Sequence, residues 1–319
     1  VAVYTPLEAA DVGEVLRVFG LPAPDRFEPV AGGIENTTYR VRSQGREWVL
    51  TLFERDGPAT VAETADLVGQ LADRGVPCPR PRRGPSGPVA VVKGKPATLV
   101  PFVVGREVVR PDEARLEALG GCVAVLHRAG SALGCRRTGA HRAEVLVPLA
   151  RRIAARLEGA DPVTAGLLRE EASAQETVEE EGLPSGVIHG DLFLDNVLFE
   201  AEVPRVAALL DFQMAGRGPW LYDVSVVLLD AAWGEGGLSG DVARAFLRGY
   251  RAVRPVVPAE WQWLPAYLRR AALRFLCLRL ERFGLGEGGM RVGRAKDPLE
   301  YLEKLRVLRG WALQGAGTG

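Results

Sequence analysis

The sequence predicts a two-lobed α+β fold, with a small, mostly antiparallel sheet over residues 1–103 and a larger helical lobe over 104–319. Three observations predict it. Short runs rich in β-formers, separated by glycine turns, fill the first hundred residues. After Gly105 the apolar spacing becomes helical and stays so. Within the helical part, residues 187–211 form an exception: two short apolar runs each deliver an aspartate to a loop.

In order, Thr5-Pro6-Leu7-Glu8 reads as a capping box with proline at the first helical position, and a helix is expected over 6–19. Phe27 opens a short strand that Gly32-Gly33 breaks. Strands are expected over 37–42 and 46–53 around a Gln44-Gly45 turn, and over 89–92 and 97–103 around Lys93-Gly94-Lys95-Pro96. A helix over 59–73 lies between the two hairpins. Further helices are expected over 111–129, 145–157, 162–181, 222–233, 241–250, 260–283 and 298–311. The last starts with Asp297-Pro298-Leu299-Glu300, an N-cap with proline at N1 and glutamate at N3. A cleft between two such lobes is the default place for a site.

Composition narrows the function classes. Lys+Arg and Asp+Glu both number 40, and no basic stripe is visible, which argues against a nucleic-acid coat. The cysteines, Cys78, Cys122, Cys135 and Cys277, have no metal-ligand spacing and read as free thiols. The first twenty residues lack the basic start and apolar run of a signal peptide. There is no apolar run of about 18 residues to span a membrane. The expectation is a cytoplasmic protein without nucleic-acid or membrane partners, acting as a monomer or homodimer.

The chemistry is concentrated in His189-Gly190-Asp191, in Asn196 five residues later, and in Asp211 after a second apolar run. Phosphoryl transfer from ATP needs a divalent cation to neutralise the phosphates and a carboxylate to orient the acceptor hydroxyl and take its proton. Asp191 fits the second task. Asn196 and Asp211 fit the first, because Mg2+ prefers oxygen ligands. Singly, each reads more readily as a loop-capping Asx residue; together at this spacing they favour the phosphoryl-transfer reading. Residues 31–37, with Gly32, Gly33, Glu35 and Asn36, would let backbone approach phosphate closely; an ordinary hairpin turn is the competing reading.

The run H-G-D-L-F-L-D-N followed by L-L-D-F resembles the catalytic and metal loops of the aminoglycoside phosphotransferase/choline kinase-like group, which has the protein-kinase fold. V-Y-T-P, G-G-I-E-N-T-T-Y, W-V-L-T-L-F-E, L-Y-D-V-S, A-L-R-F and K-D-P-L-E-Y-L-E-K-L-R resemble its ThrB-type homoserine kinase branch, from residue 3 to about 306. The resemblance implies transfer of the ATP γ-phosphate to the L-homoserine hydroxyl, in threonine synthesis. It implies Asp191 as the catalytic carboxylate and Asn196 and Asp211 as Mg2+ ligands. His189 would buttress the loop, and Asp223 would either brace the catalytic loop or simply charge a helix start. Thr51 stands where protein kinases place a strand lysine, a departure the branch shares. The contact to the α/β-phosphates then falls to Lys93, Lys95, Arg55 or loop amides. Val103 is the expected backbone donor to adenine, since Pro101 has no N–H.

Homoserine carries a carboxylate and an ammonium, so an arginine fork and an acid are required. Arg274, set among apolar residues, is expected to hold the carboxylate or to form a structural ion pair. Asp195 either faces the ammonium or solvent. Kinases of other small alcohols (aminoglycoside, choline, methylthioribose) are the alternative, and a nucleotide-binding pseudokinase the third reading.

Overall fold

The computed structural model describes residues 4–30, 36–135, 137–139, 141–234, 236–283 and 297–315. The chain forms two compact units, Val1–Val108 with Asn196–Gln213, and Val109–Asp195 with Met214–Gly319.

The first unit is built on a five-stranded antiparallel sheet. Its strands are β1 (Arg26–Pro29), β2 (Thr37–Ser43), β3 (Arg46–Leu52), β4 (Ala90–Val92) and β5 (Lys95–Pro101), in the order β1-β2-β3-β5-β4. Burial alternates along β2 and β3, as expected of strands with one face in a core. That face packs Tyr39, Val41, Trp48, Leu50, Leu52, Ala97 and Leu99 against Val12, Val15, Leu16 and Phe19 of helix α1 (Ala9–Val18) and its C-cap. The hairpin turns are tight. Gln44 and Gly45, then Lys93 and Gly94, all have positive φ, the type I′ geometry that matches strand twist. Helix α2 (Pro58–Asp73) links β3 to β4.

Helix α1 starts later than the Thr5-Pro6 signal predicts. Its N-cap is Glu8, with a capping box to Asp11. The Thr5 hydroxyl is drawn away, donating instead to Glu54 Oε2 at 2.9 Å. The unit also contains a hairpin of β7 (Val197–Phe199) and β8 (Val206–Leu209), with a register shift between Leu198 and Phe199.

The second unit is helical: α3 (Glu113–Gly130), α4 (Ala143–Leu157), α5 (Pro162–Glu176), α6 (Leu221–Ala231), α7 (Gly240–Val253), α8 (Pro258–Phe283) and α9 (Pro298–Gly315). Two short ribbons accompany them, β6 (Ser185–Ile188) with β9 (Gly216–Pro219), and β10 (Trp233–Gly234) with β11 (Gly237–Leu238). Gly120, an apparent flaw in α3, permits its contact with α7: a Cβ there would lie 2.0 Å from the Phe246 carbonyl oxygen. Helix α9 starts as its sequence predicts, with Asp297 accepting the Leu299 N–H at 2.9 Å. Among the described residues no helix is long and apolar enough to cross a membrane.

Candidate active site

In the second unit, β6 runs directly into His189-Gly190-Asp191. Gly190 has φ +81, and a Cβ there would lie 2.3 Å from the Met214 carbonyl oxygen, so only glycine fits without a shift. The loop is fastened from behind by Asp223 in the first turn of α6. Its carboxylate accepts the backbone N–H of His189 at 2.7 Å and of Gly190 at 2.9 Å. Asp223 is fully buried. Burial alone would push its pKa up, but hydrogen bonds, chiefly from His127, outweigh this and hold it below the usual carboxylate range. The His189 side chain is buried, and its Nδ1 accepts the Asp191 N–H at 3.3 Å.

Asp191 itself is partly exposed. Arg274, on α8, stands 3.9 Å from its Oδ1. The same Nη1 donates to the Gly190 carbonyl at 2.9 Å and to the Tyr222 hydroxyl at 3.1 Å. Arg274 is only 3% exposed, and its Nε has no hydrogen-bond partner among the described residues. Beyond Asp191, a 3-10 turn (Leu194–Asn196) is capped by Asp230, which accepts the Leu194 N–H at 2.7 Å. Asp195 on this turn is exposed. Burial pushes the Asp230 carboxyl above its usual range; the Leu194 N–H and Lys304 oppose this, and Asp195 and Glu300 add to it.

In the first unit, the β7–β8 hairpin carries Asn196 just before β7 and Asp211 just after β8. The Leu210 N–H donates to the Asn196 carbonyl at 2.9 Å, so both residues emerge at one end of the hairpin. Asp211 is exposed and has φ +57, a strained conformation for a residue with a Cβ. Among the described residues no three His, Cys, Asp or Glu side chains are grouped to hold a metal. One carboxylate and one amide oxygen fit a Mg2+ that completes its shell with phosphate and water.

Thr51 lies mid-β3, opposite Thr38 on β2 and Thr98 on β5. The two candidate lysines near this sheet are engaged elsewhere. Lys93 Nζ donates to the Pro6 carbonyl and pairs with Asp11 at 2.9 Å. Lys95 Nζ donates to the Glu54 carbonyl at 2.8 Å and lies 3.3 Å from its Oε2. Asn36 Oδ1 accepts the Glu54 N–H at 3.3 Å. Val103 follows β5 and is half-buried. Gly32, Gly33 and Glu35 lie outside the described residues.

A match to the model of the family described as "Phosphotransferase enzyme family" covers residues 26–267. The chain belongs to the phosphotransferase enzyme family. Homoserine kinase of Azorhizobium caulinodans is 36% identical over 98% of this phosphotransferase and 97% of its own length. Homoserine kinase of Xanthobacter autotrophicus is 37% identical, over 96% and 95% respectively. Among solved structures, amicoumacin kinase in complex with AMP-PNP and Ca2+ aligns with TM-score 0.67 and 16% identity, over 90% of this chain and 87% of that one. Spectinomycin phosphotransferase in complex with ADP and spectinomycin aligns with TM-score 0.66 and 13% identity, over 96% and 98%. The structural likenesses carry the fold of an N-terminal sheet followed by helices.

Sequence reasoning missed Asp230. A signal existed: Asp223 and Asp230 are seven residues apart on a helix that is otherwise almost wholly apolar, and buried acids need donors.

Proposed function

We propose that this phosphotransferase is a homoserine kinase, transferring the γ-phosphate of Mg-ATP to the hydroxyl of L-homoserine. The observation that carries the acceptor is near-full-length similarity, at 36–37% identity, to homoserine kinases. In this reading Asp191 receives the hydroxyl proton as the hydroxyl oxygen attacks phosphorus, and ADP leaves. Its exposure on a loop otherwise pinned by Asp223 and Arg274 supports that role. Asn196 and Asp211 would hold Mg2+, which supplies charge neutralisation for the phosphates when bound.

Arg274 is proposed for the acceptor carboxylate. The support is its unpartnered, buried Nε beside the Asp191 loop, since a buried guanidinium donor left unmade is costly. Asp195 is proposed for the ammonium, with Asp230 adding negative charge behind it. Thr51, Asn36, Val103 and the 31–35 loop are proposed for the nucleotide. The proposed location is the cytoplasm. The test is a phosphate-acceptor assay with Mg-ATP and purified protein. L-homoserine should turn over far faster than choline or kanamycin; equal or absent turnover of homoserine would sink the assignment.

A further inference from the structure

Asp223 holds the loop that presents Asp191, and a third donor completes its carboxylate: His127 Nε2 of α3, at 3.1 Å from Oδ2. His127 is fully buried, with its ring stacked on Trp220 at 5.6 Å and 5°. Its other nitrogen, Nδ1, lies 2.7 Å from the Tyr250 hydroxyl on α7. That hydroxyl receives Arg254 Nε–H at 3.0 Å. Arg254 is itself buried, bonded to the Pro255 carbonyl at 2.9 Å and held through both terminal nitrogens by Glu260 on α8.

The donors and acceptors allow one polarity. An ionised Asp223 accepts only, so His127 Nε2 carries the proton. In a neutral ring Nδ1 then accepts, and the Tyr250 O–H donates to it. The Tyr250 oxygen is left to accept from Arg254, which has only donors. Every link has one donor and one acceptor. A cationic His127 would break this, since Tyr250 would face two donors and its own O–H would have no acceptor. Of the surrounding charges, Asp223 on α6 and Glu260 on α8 favour a charged ring and Arg254, following α7, opposes it; burial outweighs the two carboxylates and lowers the His127 pKa. The His127–Asp223 contact is therefore a hydrogen bond donated by a neutral imidazole rather than an ion pair. Burial also raises the Tyr250 pKa, which keeps its proton available to His127.

We propose that His127 is a positioning residue for phosphoryl transfer: through Asp223 it fixes the backbone of His189 and Gly190, and it is itself held in one tautomer by Tyr250 and Arg254. This rests on the reading of Asp191 as the catalytic carboxylate. Losing the His127 donor leaves Asp223 buried with one bond fewer, and the loop it grips loosens. The cost falls on the placement of Asp191 rather than on substrate affinity.

Two measurements on the full-length protein test this. The first needs no acceptor. With only three histidines in the chain, 15N-histidine labelling resolves each ring, and the signal lost in His127→Gln assigns His127. The expected result is a neutral Nε2–H tautomer throughout about pH 6 to 8; the Nδ1–H tautomer or a cationic ring overturns the relay. The second is steady-state kinetics. His127→Leu keeps bulk but no donor, and should lower kcat by about 30-fold with KM for ATP and acceptor within about two-fold. His127→Gln, whose amide can donate to Asp223, should recover most of that loss. Tyr250→Phe removes one oxygen and should cost about five-fold in kcat; it carries the kinetic test if His127→Leu does not fold. Unchanged kcat in folded His127→Leu or in Tyr250→Phe overturns the proposal, as does equal loss in the Leu and Gln variants. A wild-type protein inert towards homoserine would instead sink the acceptor assignment, leaving the tautomer to decide the relay.

Discussion

Arg274 Nη1 donates to the carbonyl oxygen of Gly190 at 2.9 Å while standing 3.9 Å from the carboxylate of Asp191. One guanidinium nitrogen thus restrains the loop backbone and faces the group that backbone presents. Its Nε, without a hydrogen-bond partner among the described residues, is the edge proposed for the acceptor carboxylate. Arg274→Lys retains charge but not the fork. We expect it to raise the homoserine KM by about tenfold with the ATP KM unchanged. An unchanged homoserine KM in a folded Lys variant would confine Arg274 to bracing the loop.

Asp191→Ala should lower kcat by about a thousandfold, the scale of a lost general base. Nucleotide affinity should stay within about threefold in an ATP titration, because the substitution removes no proposed nucleotide contact. Near-normal turnover would remove Asp191 from its role.

Asp211→Asn tests the metal. Asparagine tolerates the left-handed backbone at φ +57, so the substitution changes charge without adding strain. The Mg2+ concentration for half-maximal turnover should rise by about tenfold, and chelation should abolish wild-type activity. Identical Mg2+ dependence in the variant would exclude Asp211 as a ligand.

Gly190→Ala places a Cβ 2.3 Å from the Met214 carbonyl at φ +81, whereas Gly182→Ala at φ +83 meets nothing within 4 Å. The second should cost about 1 kcal/mol in urea unfolding and the first about 2 kcal/mol or more. Equal costs would show that the loop yields at Gly190.

His141 is 2% exposed, its ring 4.7 Å from that of Tyr222. Burial, helped by Arg274, holds its pKa down to about 3, against 6.5 ordinarily. Between those values the unfolded chain binds a proton that the folded chain refuses, so stability falls as pH falls. The slope is about 1.4 kcal/mol per pH unit, or about 2 kcal/mol lost between about pH 6.5 and 5. His127, also lowered, adds in the same direction. His141→Phe should flatten the profile; an unchanged slope would refute this origin.

Local patterns carried the strands well. Alternation along 37–43 and 46–52, with Gln44-Gly45 between, specifies a hairpin because period and turn chemistry agree. The start of α1 was misplaced because Thr5 satisfies two rules at once, and its contact with Glu54, 49 residues away, wins over the cap. The same distance effect hid the support of the loop that presents Asp191. Nothing local to His127 announces Asp223, 96 positions on, and nothing in Asp230 announces the Leu194 N–H it caps. The acids at strand ends were legible; the donors that hold them depend on packing.

All three imidazoles of the chain, those of His127, His141 and His189, are buried. The native surface consequently offers nothing to an imidazole-directed acylating reagent. Such a reagent would label these rings only as fast as the second unit opens, so that three buried imidazoles also serve as a built-in chemical clock for its unfolding.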